Sequence, residues 1–293
     1  MVVLAVQVAV GGLFLVLVAT DNVPFVDGDS DAAPARQPQP RADRFDSGAA
    51  FALLRAQVDL GPRPAGSPES RRLARRLRRL LPRGRFQAVP RGLRNVVGRV
   101  AGRGRGYVVL GAHYDTKDLP GFVGANDGAS GTAVVTQIAR TLRPRQLRRT
   151  VVFVLFDGEE APRGTPDSLF AQEGLRGSRV AARRFAGARA MILLDFVGDR
   201  RLRIPREGYS DEALWRKLRA ASRRVGAARA FPDEVFGSIQ DDHLPFIGEG
   251  VPSIDLIDFD FECFHRTCDD LSAVSERSLD VTGETVLSLL ASL

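Results

Sequence analysis

The ten residues Val151-Val152-Phe153-Val154-Leu155-Phe156-Asp157-Gly158-Glu159-Glu160 decide how this chain folds. Six consecutive apolar residues, three of them valine, read as a short strand buried on both faces. The run stops in three carboxylates around one glycine, so acid stands where strand gives way to loop. The same arrangement recurs: Tyr107 to Ala112 runs into His113-Tyr114-Asp115, and Met191 to Leu194 ends in Asp195. Asn95 to Val100 and Ser253 to Asp258 are further strands. Helical stretches such as Gly131 to Leu142 and Asp211 to Val225 separate several of them. Ser67, followed by Pro68 and Glu69, marks a helix start, with Leu73, Leu77, Leu80 and Leu81 on one face and arginines on the other. The pattern predicts an α/β domain of three layers, a mostly parallel mixed sheet with helices on both faces. In open sheets of this kind ligands bind beyond the carboxyl ends of the strands.

The chemistry lies at those ends. Gly124-Ala125-Asn126-Asp127-Gly128-Ala129-Ser130-Gly131 is a glycine-rich loop opening a helix, and His265 follows the last strand. Two histidines and several carboxylates thus converge on one rim. Imidazole and carboxylate donors without thiolates, with positions left open, suit a hydrolytic zinc site. In a two-ion arrangement His113 and Asp195 hold one ion, Glu160 and His265 the other, and Asp127 bridges them. Glu159 is left free to transfer protons, and Asp115 is placed to orient the His113 imidazole. Singly, a carboxylate at a strand end is more often a cap or turn residue, and a lone histidine more often a packed one. Five donor residues at strand ends and in one glycine loop, beside Glu159-Glu160, are hard to ascribe to coincidence.

With 293 residues, 44% of them apolar, the chain is long enough for one large domain. Its 42 basic and 35 acidic residues leave a charge of +7, and only Lys117 and Lys217 are lysines. The arginines sit between leucines at helical spacing without interleaved aromatics, so they read as solvated helix faces and no nucleic-acid partner is expected. Val2 to Ala19 carries no charge and as a helix would reach about 27 Å. Residues 1–20 are therefore a signal peptide or a membrane anchor, 21–45 a flexible linker and 46–293 the working domain, expected outside the cytoplasm and monomeric. Cys263 and Cys268 flank His265. An oxidising compartment permits a disulfide there, with two free thiols as the alternative.

These residues resemble a known family. His113-Tyr114-Asp115, Gly124-Ala125-Asn126-Asp127, Phe156-Asp157-Gly158-Glu159-Glu160 and His265 are similar to the motifs of the zinc aminopeptidase clan, which also contains the glutaminyl-peptide cyclotransferases. The likeness runs from about Leu60 to the C-terminus and includes Gly61 to Pro68, similar to the entry segment of those enzymes. Ile239-Gln240-Asp241-Asp242-His243-Leu244-Pro245-Phe246 looks like the cyclotransferase loop, as do Tyr114 to Lys117, Asp167 to Phe170 and Gly177 to Arg179.

The cyclotransferase resemblance implies conversion of an N-terminal glutamine to pyroglutamate with loss of ammonia. One zinc would be held by Asp127, Glu160 and His265, with Glu159, Asp195 and Asp241 catalytic and Phe264 and Gln240 lining the substrate site. His113 and Asp195 would then lie behind the metal, and His243 would be a packed or supporting histidine. Three departures reshape the pocket walls: Phe264 and Thr165 stand where those enzymes carry tryptophan, and Ala171 to Arg176 looks inserted. Two alternatives stand beside this reading. An exported two-zinc aminopeptidase would use all five ligands, with Glu159 as general base. A tethered binding ectodomain without activity is disfavoured by the intact Glu159-Glu160 pair.

Overall fold

The structure, a computed structural model, describes residues 39–293. The expected signal or anchor at 1–20 and most of the expected linker lie outside them. Among the described residues no helix is long and apolar enough to cross a membrane.

Strands β1 (Arg85–Val89), β2 (Leu93–Val100), β3 (Tyr107–His113), β4 (Thr150–Phe156), β5 (Met191–Asp195), β6 (Arg206–Glu207), β7 (Val235–Phe236) and β8 (Ser253–Ile257) alternate with helices. Six of them form one sheet in the order β1-β2-β4-β3-β5-β8, and β6 and β7 form a small parallel ribbon. Pairing is antiparallel from β1 through β2 to β4 and parallel from β4 through β3 and β5 to β8. In register, His113 lies opposite Phe156 and Asp195 opposite Ile257. The parallel half therefore delivers the carboxyl ends of four strands to one edge.

The helices are α1 (Ser47–Val58), α2 (Pro68–Leu80), α3 (Ala129–Thr141), α4 (Phe170–Glu173), α5 (Arg176–Arg184), α6 (Glu212–Val225), α7 (Leu244–Gly248) and α8 (Glu276–Ser292). Side chains alternate across the sheet. Val108, Leu110, Phe153 and Ile192 join a core with α1, α2, α3, α6 and α8, while Val109, Val152, Val154 and Leu193 pack with α5 and Phe246 of α7. Burial on both faces is why these strands read as unbroken apolar runs. Side-chain caps start four of the helices: Asp46, Ser67, Asp211 and Ser275 accept from Ala49, Ser70, Leu214 and Ser278 N–H. In α2, Leu73 and Leu77 are buried while the neighbouring arginines face outward.

Several elements lie outside the sequence expectations: β1, β6, β7, α1, α4, α5, α7 and α8. Helix α8 is buried almost all round, so it shows no amphipathic stripe. Oε1 of its buried Glu284 accepts from the N–H groups of Arg44 and Phe45, and Oε2 lies 3.5 Å from the Arg44 Nε. A Cβ at Gly283 would stand 2.4 Å from the Phe45 ring, so the glycine makes room for it. The packed domain thus begins before residue 46: Phe45 is buried, and Arg41 N–H donates to Val225 O.

The close approach that matters most to the rim is at Gly131. A Cβ there would meet the Leu194 carbonyl oxygen at 2.1 Å, one residue before Asp195. Gly131→Ala is expected to push α3 away from β5 at a cost of about 1–3 kcal/mol. The melting temperature should fall by roughly 2–10 °C, which thermal unfolding followed by circular dichroism would measure.

Candidate metal centre

Five predicted donors meet at the carboxyl edge. His113 ends β3, Asp127 lies in the loop opening α3, Glu160 follows β4, Asp195 ends β5 and His265 follows β8. They form two three-residue groups, His113-Asp127-Asp195 and Asp127-Glu160-His265, the donor atoms of each lying within 4.8 Å of one another. Asp127 belongs to both. Its Oδ1 is 3.2 Å from His113 Nε2, and its Oδ2 is 3.5 Å from His265 Nε2. His113 Nε2 is also 3.2 Å from Asp195 Oδ1, and His265 Nε2 is 3.4 Å from Glu160 Oε1. Asp127 Oδ2, although buried, accepts no hydrogen bond. A buried carboxylate oxygen left in that state beside imidazole nitrogen fits a cation ligand, and the all-nitrogen-and-oxygen donor set fits zinc.

The loops carrying these donors are tied by groups that sequence patterning does not reveal. Asp269 accepts from the backbone N–H of Asn126 at 2.7 Å and of Asp127 at 3.0 Å. It follows Cys268, which is joined to Cys263 by a disulfide. One short segment therefore fixes both the His265 turn and the Asp127 loop. The fully buried Arg63 donates to the carbonyl oxygens of Tyr114, Val123 and Gly124, clamping the segment after β3 to the glycine loop. Asn126 Oδ1 accepts from Gly198 N–H at 2.7 Å and so joins that loop to the end of β5. Gly128, at φ 81°, lets its backbone lie against His113, where a Cβ would stand 3.0 Å from Cε1. His265 and Phe196 adopt left-handed backbone at φ 52° and 46°, costly for non-glycine residues and concentrated at sites where the surroundings impose them.

Asp115 differs from expectation. It lies 3.8 Å from His113 Nδ1, too far for a hydrogen bond. Its two oxygens instead accept from Glu159 and Glu160 N–H at 3.3 and 3.2 Å. Its main work is to hold the Glu159-Glu160 segment, with only a longer electrostatic contact to the imidazole.

The electrostatics are those of acid crowded out of water. Burial, then the neighbouring Glu160, pushes the Glu159 carboxyl well above the ordinary range. Burial, then Asp195, does the same to Asp241. Burial alone would raise Glu160 too, but His265 and Lys117 outweigh it and hold it low; Lys117 Nζ is 3.3 Å from Glu160 Oε2. Burial opposes charge on His113, yet Asp195, Asp115 and Asp127 overcome it and hold its pKa well up. A divalent ion supplies the positive charge that the two imidazoles otherwise carry.

The remaining predicted residues take different places. Asp241 is buried, whereas Gln240 beside it is exposed at the surface. His243 is fully buried, with Nε2 3.1 Å from Glu207 Oε2 and Nδ1 3.7 Å from Asp255 Oδ2, away from both donor groups. The Phe264 ring stacks on the His265 imidazole at 3.8 Å. Thr165 is partly buried in the loop after Glu160, before α4.

A model for Peptidase family M28 matches residues 95–290, which include His113, Asp127, Glu160, Asp195 and His265. The chain belongs to peptidase family M28. It is 28% identical over 230 residues to the glutaminyl-peptide cyclotransferase of Bos taurus, an alignment covering 66% of this chain and 62% of that one. The chain spans about three fifths of the length of the curated relatives it matches. Its fold is similar to the glutaminyl cyclase of Porphyromonas gingivalis, with a TM-score of 0.75 and 29% identity, covering 85% of this chain and 99% of that one. It is also similar to a Zn-dependent exopeptidase from Parabacteroides distasonis, with a TM-score of 0.74, 26% identity and the same coverage. The M28 assignment and the donor set both support zinc.

Asp269→Ala removes both acceptors that hold the Asp127 loop. It is expected to weaken zinc binding about 10- to 100-fold, the usual range for groups that orient ligands, measured by competition against a chromophoric chelator.

Proposed function

We propose that this M28 protein is a zinc-dependent glutaminyl-peptide cyclotransferase, acting outside the cytoplasm on peptides with N-terminal glutamine. The observation that carries the reading is the placement of the Ile239 to Phe246 loop, which buries Asp241 so that its carboxyl interacts with Asp195 and Glu159 beside the donor cluster. The similarity to glutaminyl cyclases supports it. So does the contrast between the donor groups. His265 is about a quarter exposed and reachable, whereas His113 and Asp195 are buried and engaged with each other. Asp127, Glu160 and His265 would accordingly hold a single ion. The Cys263–Cys268 disulfide supports an oxidising compartment.

Zinc bound by those three residues supplies Lewis-acid polarisation of the side-chain carbonyl of the N-terminal glutamine. Glu159 takes a proton from the α-amine as its nitrogen bonds to the side-chain carbonyl carbon. It then passes a proton to the departing amide nitrogen as the carbon–nitrogen bond breaks, and ammonia leaves. Water is not consumed. A carboxyl raised by burial suits a group that must accept and return a proton at neutral pH. Asp241, its carboxyl raised by burial and then by Asp195, stands at its side. Phe264 forms an apolar wall against His265.

A second reading rests on the two donor groups that share Asp127: a two-zinc aminopeptidase in which Glu159 is the general base toward water. The products separate the two. A Gln-initiated peptide should yield ammonia and a blocked N-terminus, with one zinc per chain by elemental analysis. Release of leucine from a Leu-initiated peptide, with two zinc ions, would establish the aminopeptidase instead. Glu159→Gln should lower kcat by about 10²- to 10⁴-fold with zinc content unchanged. Unaltered turnover in that variant would remove Glu159 from the mechanism.

A further inference from the structure

Aromatic rings follow one another along the surface, leading away from the metal centre. The imidazole of His265 stacks on Phe264 with centroids 3.8 Å apart, Phe264 meets Phe259 at 5.1 Å and Phe259 meets Phe236 at 6.2 Å. Phe264, Phe259 and Phe236 are 38, 36 and 41% exposed, and Val235 beside them is 60% exposed. Behind the row, buried Phe196 packs against both Phe259 and Phe264 and gives it a floor. The rings come from separate segments, the loop after β8 and the two-residue strand β7. Single exposed apolar side chains are ordinary on a protein surface. A continuous row that begins at a candidate metal ligand has the character of a binding surface.

We infer that this row holds the part of the peptide substrate that follows the N-terminal residue, and that it selects an apolar side chain at the fourth position. The inference rests on the peptide N-terminus reading above. An extended peptide advances about 3.3–3.6 Å per residue and turns alternate side chains to the same face. With the N-terminal residue at the metal centre, the second side chain lies over Phe264 and the fourth over Phe259 and Phe236. The third points to solvent. Carboxylates border the row: Asp260 lies between Phe259 and Phe261 in sequence, and exposed Glu262 and Glu234 pair with Arg201 and Arg203. Arg201 and Arg203 are already engaged by these carboxylates, so an acidic side chain at position four meets apolar rings without gaining an ion pair.

The test uses the zinc-loaded protein and tetrapeptide amides beginning with glutamine, carrying phenylalanine, glycine or glutamate at position three or four and glycine elsewhere. Phenylalanine at position four should raise kcat/KM over glycine about tenfold, within the range one apolar contact provides, and mainly through KM. At position three the difference should stay within about twofold, and glutamate at position four should fall below glycine. Combining Phe236→Ala with Phe259→Ala should bring the position-four ratio close to one, while Phe236→Leu keeps most of it. Each ratio is taken within one protein, so a general loss of activity cancels. Equal values for all tetrapeptides, or a ratio unchanged in the double variant, would overturn the inference. Calorimetric binding of the same series to Glu159→Gln should give the same ranking without turnover. Ammonia release tests the reaction class, and the ranking tests the aromatic row.

Discussion

The structure depends on neutralising acid that the fold has withdrawn from water. Asp127, Glu159, Glu160, Asp195, Asp241, Asp242 and Asp255 are all buried on or near one edge of the sheet. An isolated buried carboxylate protonates rather than remain charged, and burial drives Asp242 up to about 7. Buried Arg63 and partly buried Lys117 supply fixed positive charge, and the two donor histidines supply more when protonated. A divalent ion completes this balance at the one carboxylate that faces both imidazoles. Its binding and the assembly of the rim are therefore expected to reinforce each other.

The scaffold meets this constraint by division of labour. The parallel strands set the positions of His113 and Asp195 by register, which a packed sheet holds firmly. Asp127 and His265 stand on irregular backbone and rely on discrete ties from Asp269, Arg63 and Asn126. These ties are polar and buried, so each is costly to break, because its loss leaves an unsatisfied partner. Such a rim tolerates varied loops only where those few bonds persist.

Much of this was legible in the sequence because both relevant signals are local. Strands buried on two faces announce themselves as apolar runs, and a donor that ends such a run has its place fixed by one residue of context, as with His113 and Asp195. Asp127 was legible through the glycines that let its loop approach β3. What escaped had no local signature. Arg63 reads as one arginine among many, and Asp269 as an ordinary acid after a cysteine; each acquires its role only by contacting loops distant in sequence. Asp115 was misread because proximity along the chain suggested His113, whereas the fold offered it two backbone donors. Helix α8 was obscured because burial on nearly every side erases the two-faced pattern that reveals a helix.

The cross-link between Cys263 and Cys268 spans a sequence separation of only five. Closing so small a ring removes little freedom from the unfolded chain, about 2 kcal/mol on the chain-entropy model, against nearly 5 for a ring of a hundred residues. Its influence is thus concentrated on a single turn. A reduced chain would still build its sheet and present His113, Glu160 and Asp195, but the His265 turn, and with it the Asp269 tie to the Asp127 loop, would hang on a looser tether. This pair therefore bears on the shape of the rim more than on the stability of the sheet.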